Sequence, residues 1–195
     1  MIADCKSLAP TWETLANDFA AEPTVLIAKV DAEAENAKAT AQEQGVKSYP
    51  TIKYFPKGSK TPQAYEGGRT EKDLIGFLNK NAGTHRAVGG GLDAKAGTIE
   101  ALDAVVAKLT AGGSLTTISE EAQKAAQSLK DKYAEYYVKV FNKLSNSDGY
   151  VEKELARLDG LLRKGGLAPG KVDDLTSRSN ILRKFTGNGK FRDEL

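Results

Sequence analysis

The sequence predicts an α/β half followed by an all-α half, and three observations carry that reading. Helical and strand patterns alternate over residues 1–83, the signature of an α/β unit. Composition then shifts to an aperiodic stretch, residues 84–97, with adjacent glycines at 89–91, which reads as a flexible connector. From Ile99 to Phe185 there is almost no strand signal and a strong 3.6-residue apolar period, the mark of amphipathic helices. The expected organisation is residues 1–83, a connector at 84–97, a helical domain at 98–187 and a tail at 188–195.

Residues 6–20 set Leu8, Trp12, Leu15 and Phe19 on one helical face before the breaker Pro23. Val25 to Val30 is short, apolar and rich in β-branched residues, so it predicts a buried strand. Residues 34–44 are alanine-rich and helical, and Gly45 supplies a C-terminal stop. Residues 51–55 alternate as a strand, residues 56–59 form a turn, and Gln63 to Glu66 return antiparallel. Thr70, with Asp73 three residues on, is the expected N-cap of a helix burying Leu74, Phe77 and Leu78. In the second half Ile99, Leu102, Val106 and Leu109 predict a short helix ending at Gly112. Ser119 is expected to open one long helix through Ala122, Ala126, Leu129, Tyr133, Tyr137, Val140 and Leu144. Val151, Leu155, Leu158 and Leu162 predict a third helix stopped at Gly165, and Val172 to Phe185 a fourth. These are enough for a small bundle with its own core.

Charge and composition exclude several functions. With 28 basic and 26 acidic residues the net charge is +2, too small to attract nucleic acid. No apolar run approaches the roughly 18 residues of a membrane span. The single cysteine rules out a disulfide within the chain. A lone histidine, His85 in the connector, makes no metal site, and the glycines at 89–91 lack the strand-turn-helix setting of a phosphate cradle. No metal or diffusible cofactor is expected. Tyr133, Tyr136 and Tyr137 at helical spacing read as core, with a sticky patch for unfolded chains as the alternative.

Three separated motifs occur in order: Asp4-Cys5-Lys6-Ser7-Leu8-Ala9-Pro10-Thr11-Trp12, Gly45-Val46-Lys47-Ser48-Tyr49-Pro50-Thr51, and Tyr65-Glu66-Gly67-Gly68-Arg69. Together, over roughly residues 5–83, they resemble a thioredoxin-fold domain of the protein disulfide isomerase family. The helical half resembles the C-terminal domain of some lumenal thioredoxin-like isomerases and chaperones. The resemblance places Cys5 at the second, resolving cysteine of a Cys-Gly-His-Cys site and puts Ile2 where the nucleophilic cysteine would stand. It also implies that Tyr49-Pro50 is the family's cis-proline turn, which contacts extended substrate; a trans proline opening a strand is the plain alternative. Arg69 matches an arginine that tunes the resolving thiol. Lys29 matches a lysine whose acidic partner lies on the central strand, a strand with no counterpart here, so solvent exposure is the expected outcome. The expected fold is thus an incomplete thioredoxin-like domain, its first and central strands missing, followed by a small helical bundle, with strand edges left unpaired.

The chain ends in Arg192-Asp193-Glu194-Leu195, an address of the type read by an endoplasmic reticulum retention receptor. Its start, Met1 to Cys5, has no basic region, apolar run or cleavage site, so a fragment or a misplaced start is expected; a true start at Met1 would imply the cytosol. The resemblance implies disulfide isomerase activity on unfolded or disulfide-containing secretory proteins. Isomerisation needs a low-pKa thiolate and a second thiol to resolve the mixed disulfide. With only Cys5, this chain is expected to be inactive, the alternative being a redox-inactive client-binding chaperone or escort.

Overall fold

A computed structural model describes residues 2–187 of the 195-residue chain. It divides into two compact units, Met1–Gly91 and Leu92–Leu195.

The first unit begins with helix α1 (Ile2–Asp18), which carries Pro10 within it. A 3-10 turn at Glu35–Ala37 leads into the short α2 (Lys38–Glu43), and Gly45 ends this segment at φ +62°, where a side chain would be strained. Strand β1 (Lys53–Tyr54) pairs antiparallel with β2 (Gln63–Ala64), Lys53 opposite Ala64 and Tyr54 opposite Gln63. Helix α3 (Glu71–Ala82) has the expected cap: Thr70 Oγ1 accepts from the Asp73 amide at 3.2 Å. It ends at Gly83, which is left-handed at φ +67° and donates to the Asn79 carbonyl. Acidic Glu71 and Asp73 in its first turn and Lys80 in its last complement the helix dipole. Leu15 of α1 and Phe19 just after it meet Leu74 and Ile75 of α3 in the core, with Trp12, Val25, Ile27, Ile52, Tyr65 and Leu78 packed around them.

The β content is smaller than the pattern predicts. Val25 to Val30 forms no strand. A strand is a property of a pair, and no strand lies beside this segment among the described residues. Val25 and Ile27 still reach the core, while Leu26 and Val30 are 88% and 67% exposed. The segment is held from one side by the Trp12 indole, which donates to the Ala28 carbonyl at 3.2 Å.

The first residues of the 84–97 stretch pack against the end of α3. Thr84 and Arg86 are buried; Asn79 accepts from the Thr84 hydroxyl and the Arg86 amide and donates to the Arg86 carbonyl. These bonds anchor the stretch to the end of α3.

The second unit contains α4 (Glu100–Thr110), α5 (Leu115–Gln127), α6 (Lys132–Leu144), α7 (Tyr150–Lys164) and α8 (Pro169–Phe185). The long helix expected from Ser119 to Leu144 is two helices. Asp131 breaks it by taking the Tyr133 amide onto its own carboxylate at 2.7 Å, capping α6, as a short acidic side chain does in competition with the helix ladder. Ser119, expected as a cap, lies buried inside α5. Helix α8 starts earlier than its apolar pattern because Pro169 sits in its first turn, where a missing amide hydrogen costs nothing.

Leu102, Val106, Ala122, Tyr137, Val140, Phe141, Leu158, Ile181 and Leu182 form one core. Phe185 caps it against Phe141, ring centroids 5.0 Å apart and close to edge-to-face, a favoured aromatic arrangement. Asn180, also buried, donates to the carbonyls of Asp93 and Ala96 at 2.9 and 3.0 Å and so ties the start of the unit to α8.

Candidate functional site

Helix α1, the 24–32 segment, the 49–57 stretch and α3 enclose an open, mainly apolar cleft of about 1130 Å³ in the first unit. It is there because β1 has a strand neighbour on one side only and residues 26–30 have none among the described residues. Packing therefore stops short of closing the space between them.

Cys5, Tyr49 and Pro50 all line this cleft, so residues far apart in the sequence converge on it. The Cys5 thiol is free and exposed. Tyr49-Pro50 is a cis peptide, and both residues are half-buried. Arg69 is exposed and is not part of the lining. Lys29 lines the cleft with a side chain 75% exposed, 3.2 Å from Glu13 of α1; a pair this wet contributes little. Lys53 donates its ammonium to the Gln44 carbonyl.

Chemically, one thiol can attack a disulfide and hold the resulting mixed disulfide. Releasing the client requires a second thiol to attack Cys5 Sγ, and this sequence holds one cysteine. Among the described residues no group of His, Cys, Asp and Glu side chains is arranged to hold a metal ion, and no helix is long and apolar enough to cross a membrane.

Of the tyrosines read as core, with a sticky patch as the alternative, two are buried. Tyr136 and Tyr137 are 6% and 0% exposed, and burial raises both phenol pKa values; they are core residues. Arg192 to Leu195 lie outside the described residues.

A polar cluster went unseen in the sequence. Arg86 Nε donates to Glu22 Oε1 at 2.7 Å and its Nη1 donates to the Gly90 carbonyl at 2.9 Å. The Gly89 amide donates to Glu71 Oε1 at 2.8 Å, and Asp18 is buried beside them. Burial pushes the Asp18 carboxyl up to about 6, the Glu71 carboxyl adds to the rise, and Arg86 opposes it.

Comparison with known proteins follows this division. The thioredoxin family profile matches residues 2–80, and the profile described as "Endoplasmic reticulum protein ERp29, C-terminal domain" matches residues 97–185. The chain is thus a thioredoxin-like domain joined to an ERp29-type helical domain. It is 62% identical over 192 residues to protein disulfide-isomerase tigA of Aspergillus niger, covering 98% of this chain and 52% of that protein. It is 60% identical over 185 residues to protein disulfide-isomerase erp38 of Neurospora crassa, covering 93% and 50%. A probable protein disulfide-isomerase A6 of Medicago sativa is 37% identical over 188 residues, with 93% and 50% covered. The chain belongs to the protein disulfide isomerase family, and it spans about half the length of these curated relatives.

Proposed function

We propose that this chain handles unfolded polypeptides as part of a protein disulfide isomerase of the endoplasmic reticulum lumen, and that it exchanges no disulfides by itself. The observation that carries this reading is the site's composition: an open apolar cleft with a single exposed thiol on its wall. Tyr49 and Pro50 are read as client contacts because they line the same space as Cys5. Cys5 is read as a resolving-type thiol without its nucleophile, and Arg69 as a pKa modulator with no dithiol to serve. The names of the relatives support disulfide isomerase activity for a longer protein. The proposed division of the chain is a thioredoxin-like portion at 1–83, a connector at 84–97, a helical domain at 98–187 and a tail at 188–195.

Reduced, denatured ribonuclease mixed with this chain should regain activity no faster than in buffer, and Cys5→Ser should change nothing. Acceleration abolished by Cys5→Ser would overturn the inactive reading.

Lumenal residence rests on Arg192-Asp193-Glu194-Leu195 acting as the ligand of a retention receptor. Expressed behind a cleavable signal peptide, the chain should stay in cells, and removal of those four residues should release it to the medium.

A further inference from the structure

Away from the cleft, α1, α3 and the stretch after α3 bring three carboxyl groups to one place. Asp18 ends α1 and is 6% exposed; Glu22 follows it, and Glu71 opens α3. None of the three lines the cleft. Among the described ion pairs this cluster meets one cation, Arg86, which is bonded to Glu22 at 2.7 Å. Glu71 accepts the Gly89 amide on its Oε1 at 2.8 Å. Asp18 has no such partner for its Oδ2, which is buried without a hydrogen bond among the described residues. A carboxyl oxygen so placed, beside a second carboxyl, is satisfied when Asp18 keeps its proton and donates it to Glu71.

Residues 87–91 form a turn that rests on this carboxyl pair. The Ala87 amide donates to the Gly91 carbonyl at 2.8 Å and the Gly90 amide to the Ala87 carbonyl at 3.1 Å, a path that Gly89 and Gly90 allow at φ +83° and +79°. A Cβ added to Gly90 would stand 3.1 Å from Asp18 Oδ1 and 3.3 Å from Asp18 Cα, so the Gly90 backbone covers Asp18 itself. The groups facing Asp18 are Glu71 of α3 and Arg86. Burial first and then Glu71 keep the proton on Asp18, and Arg86, shared with Glu22, opposes them. With Asp18 neutral, Glu22, Glu71 and Arg86 leave one net negative charge; once Asp18 ionises the cluster holds two, and the proton between the carboxyls is gone. Hydrating the new charge requires Gly90 to lift away from it.

We propose that residues 87–91 are a proton-operated clasp, closed over Asp18 and Glu71 while the two carboxyls share a proton and lifted from them when Asp18 ionises. Its fixed end is Thr84 to Arg86, which Asn79 and Glu22 hold at either protonation state. The sign follows from where the proton binds more tightly. Asp18 sits at about 6 in the closed clasp and returns toward 3.8 when hydrated, so opening grows as pH rises and levels off above about 6. Between pH 5 and 7.5 those two values give about a tenfold rise in the opening equilibrium.

The test is residue-resolved amide exchange with water, followed by NMR on the full chain, each rate divided by the intrinsic rate at its pH. Protection at Gly89 and Gly90 should fall about tenfold from pH 5 to 7.5. At both pH values it should also lie at least about tenfold below that of Leu74 to Leu78 inside α3, the mark of a local opening rather than of global unfolding. Asp18→Asn should hold protection at the two glycines level across the same range. Glu71→Gln keeps an acceptor for the Gly89 amide and offers the Asp18 carboxylate a donor, so it should shrink the fall. Carbon NMR of the Asp18 carboxyl in the parent chain needs no variant, and its midpoint should coincide with that of the Gly89 and Gly90 amide shifts. The proposal is overturned by level protection at the two glycines in the parent chain, by protection equal to that of α3, by an equal fall in Asp18→Asn, or by an Asp18 midpoint at its ordinary value.

Discussion

Arg86 donates its Nε hydrogen to Glu22 Oε1 across 2.7 Å, with side chains only 4% and 18% exposed, and so fastens the 84–91 segment to the residues that follow α1. A buried pair of this kind adds little against an apolar replacement, but removing one partner strands the other charge, which costs about 3–5 kcal/mol. Arg86→Ala should therefore lower the unfolding free energy, read from urea denaturation followed by Trp12 emission, by an amount in that range. Glu22→Gln should cost less, because its partner keeps a hydrogen-bond acceptor and Glu22 is the wetter of the two. Equal, near-zero effects would show that the pair contributes nothing.

Asp18 makes the same region sensitive to pH. Its carboxyl is raised from 3.8 to about 6, by burial first and then by Glu71, with Arg86 pulling the other way. Between those two values the folded chain binds more protons at this site than the unfolded one, so its contribution to stability is full below about pH 4, falls as pH rises, and is gone above about 6. A shift of this size is worth on the order of 3 kcal/mol. Asp18→Asn, which cannot ionise and offers Glu71 a permanent donor, should flatten the difference in melting temperature between pH 4.5 and 7. An identical pH profile in the variant and the parent chain would exclude Asp18 as its source.

Tyr137 is fully buried in the second unit, where its hydroxyl donates to Asp103 and accepts from the Ile99 amide at 3.3 Å. Lys184 reaches the other oxygen of Asp103 at 2.9 Å. Tyr137→Phe keeps the ring but leaves a carboxylate oxygen and a backbone amide without this partner, so it should cost about 1–3 kcal/mol. Urea denaturation followed by far-ultraviolet circular dichroism should show a lower midpoint with an unchanged slope; a midpoint within error of the parent chain would mean that water replaces the hydroxyl.

Features carried by local chemistry were legible in the sequence, and features that depend on a distant partner were not. The Thr70 cap and the Leu102–Val106 stripe need only neighbours three or four residues away, and both appear as expected. The Val25–Val30 run has the composition of a strand, yet no composition supplies the strand beside it. The break between α5 and α6 was hidden because Leu129 keeps the apolar phase across it and packs on the core, although Ser128 and Asp131 were there to be read as a cap pair. For the site, Cys5 and Tyr49-Pro50 were singled out and do share a cleft. The Asp18, Glu22, Glu71 and Arg86 cluster joins parts of the chain that no periodicity links.

Two glycines of the second unit should respond to alanine with opposite signs. Gly97 is left-handed at φ +75°, and an added Cβ would stand 2.5 Å from Ser177 Cβ and 3.1 Å from Ser177 Cα on α8. An L side chain pays about 1–2 kcal/mol for that backbone conformation, and overpacking typically adds 1–3 kcal/mol. Gly97→Ala should therefore destabilise by at least about 2 kcal/mol, because Asn180 holds α8 tightly to the backbone around Ala96 and leaves the contact nowhere to relax. Gly160 lies within α7 with nothing inside 4 Å of the added atom, so Gly160→Ala should stabilise by up to about 1 kcal/mol through helix propensity alone. Thermal denaturation of the two variants beside the parent chain reads both signs. A neutral Gly97→Ala would mean that α8 moves away from residue 97 at little cost, and a destabilising Gly160→Ala would mean that the exposed face of α7 meets a neighbour.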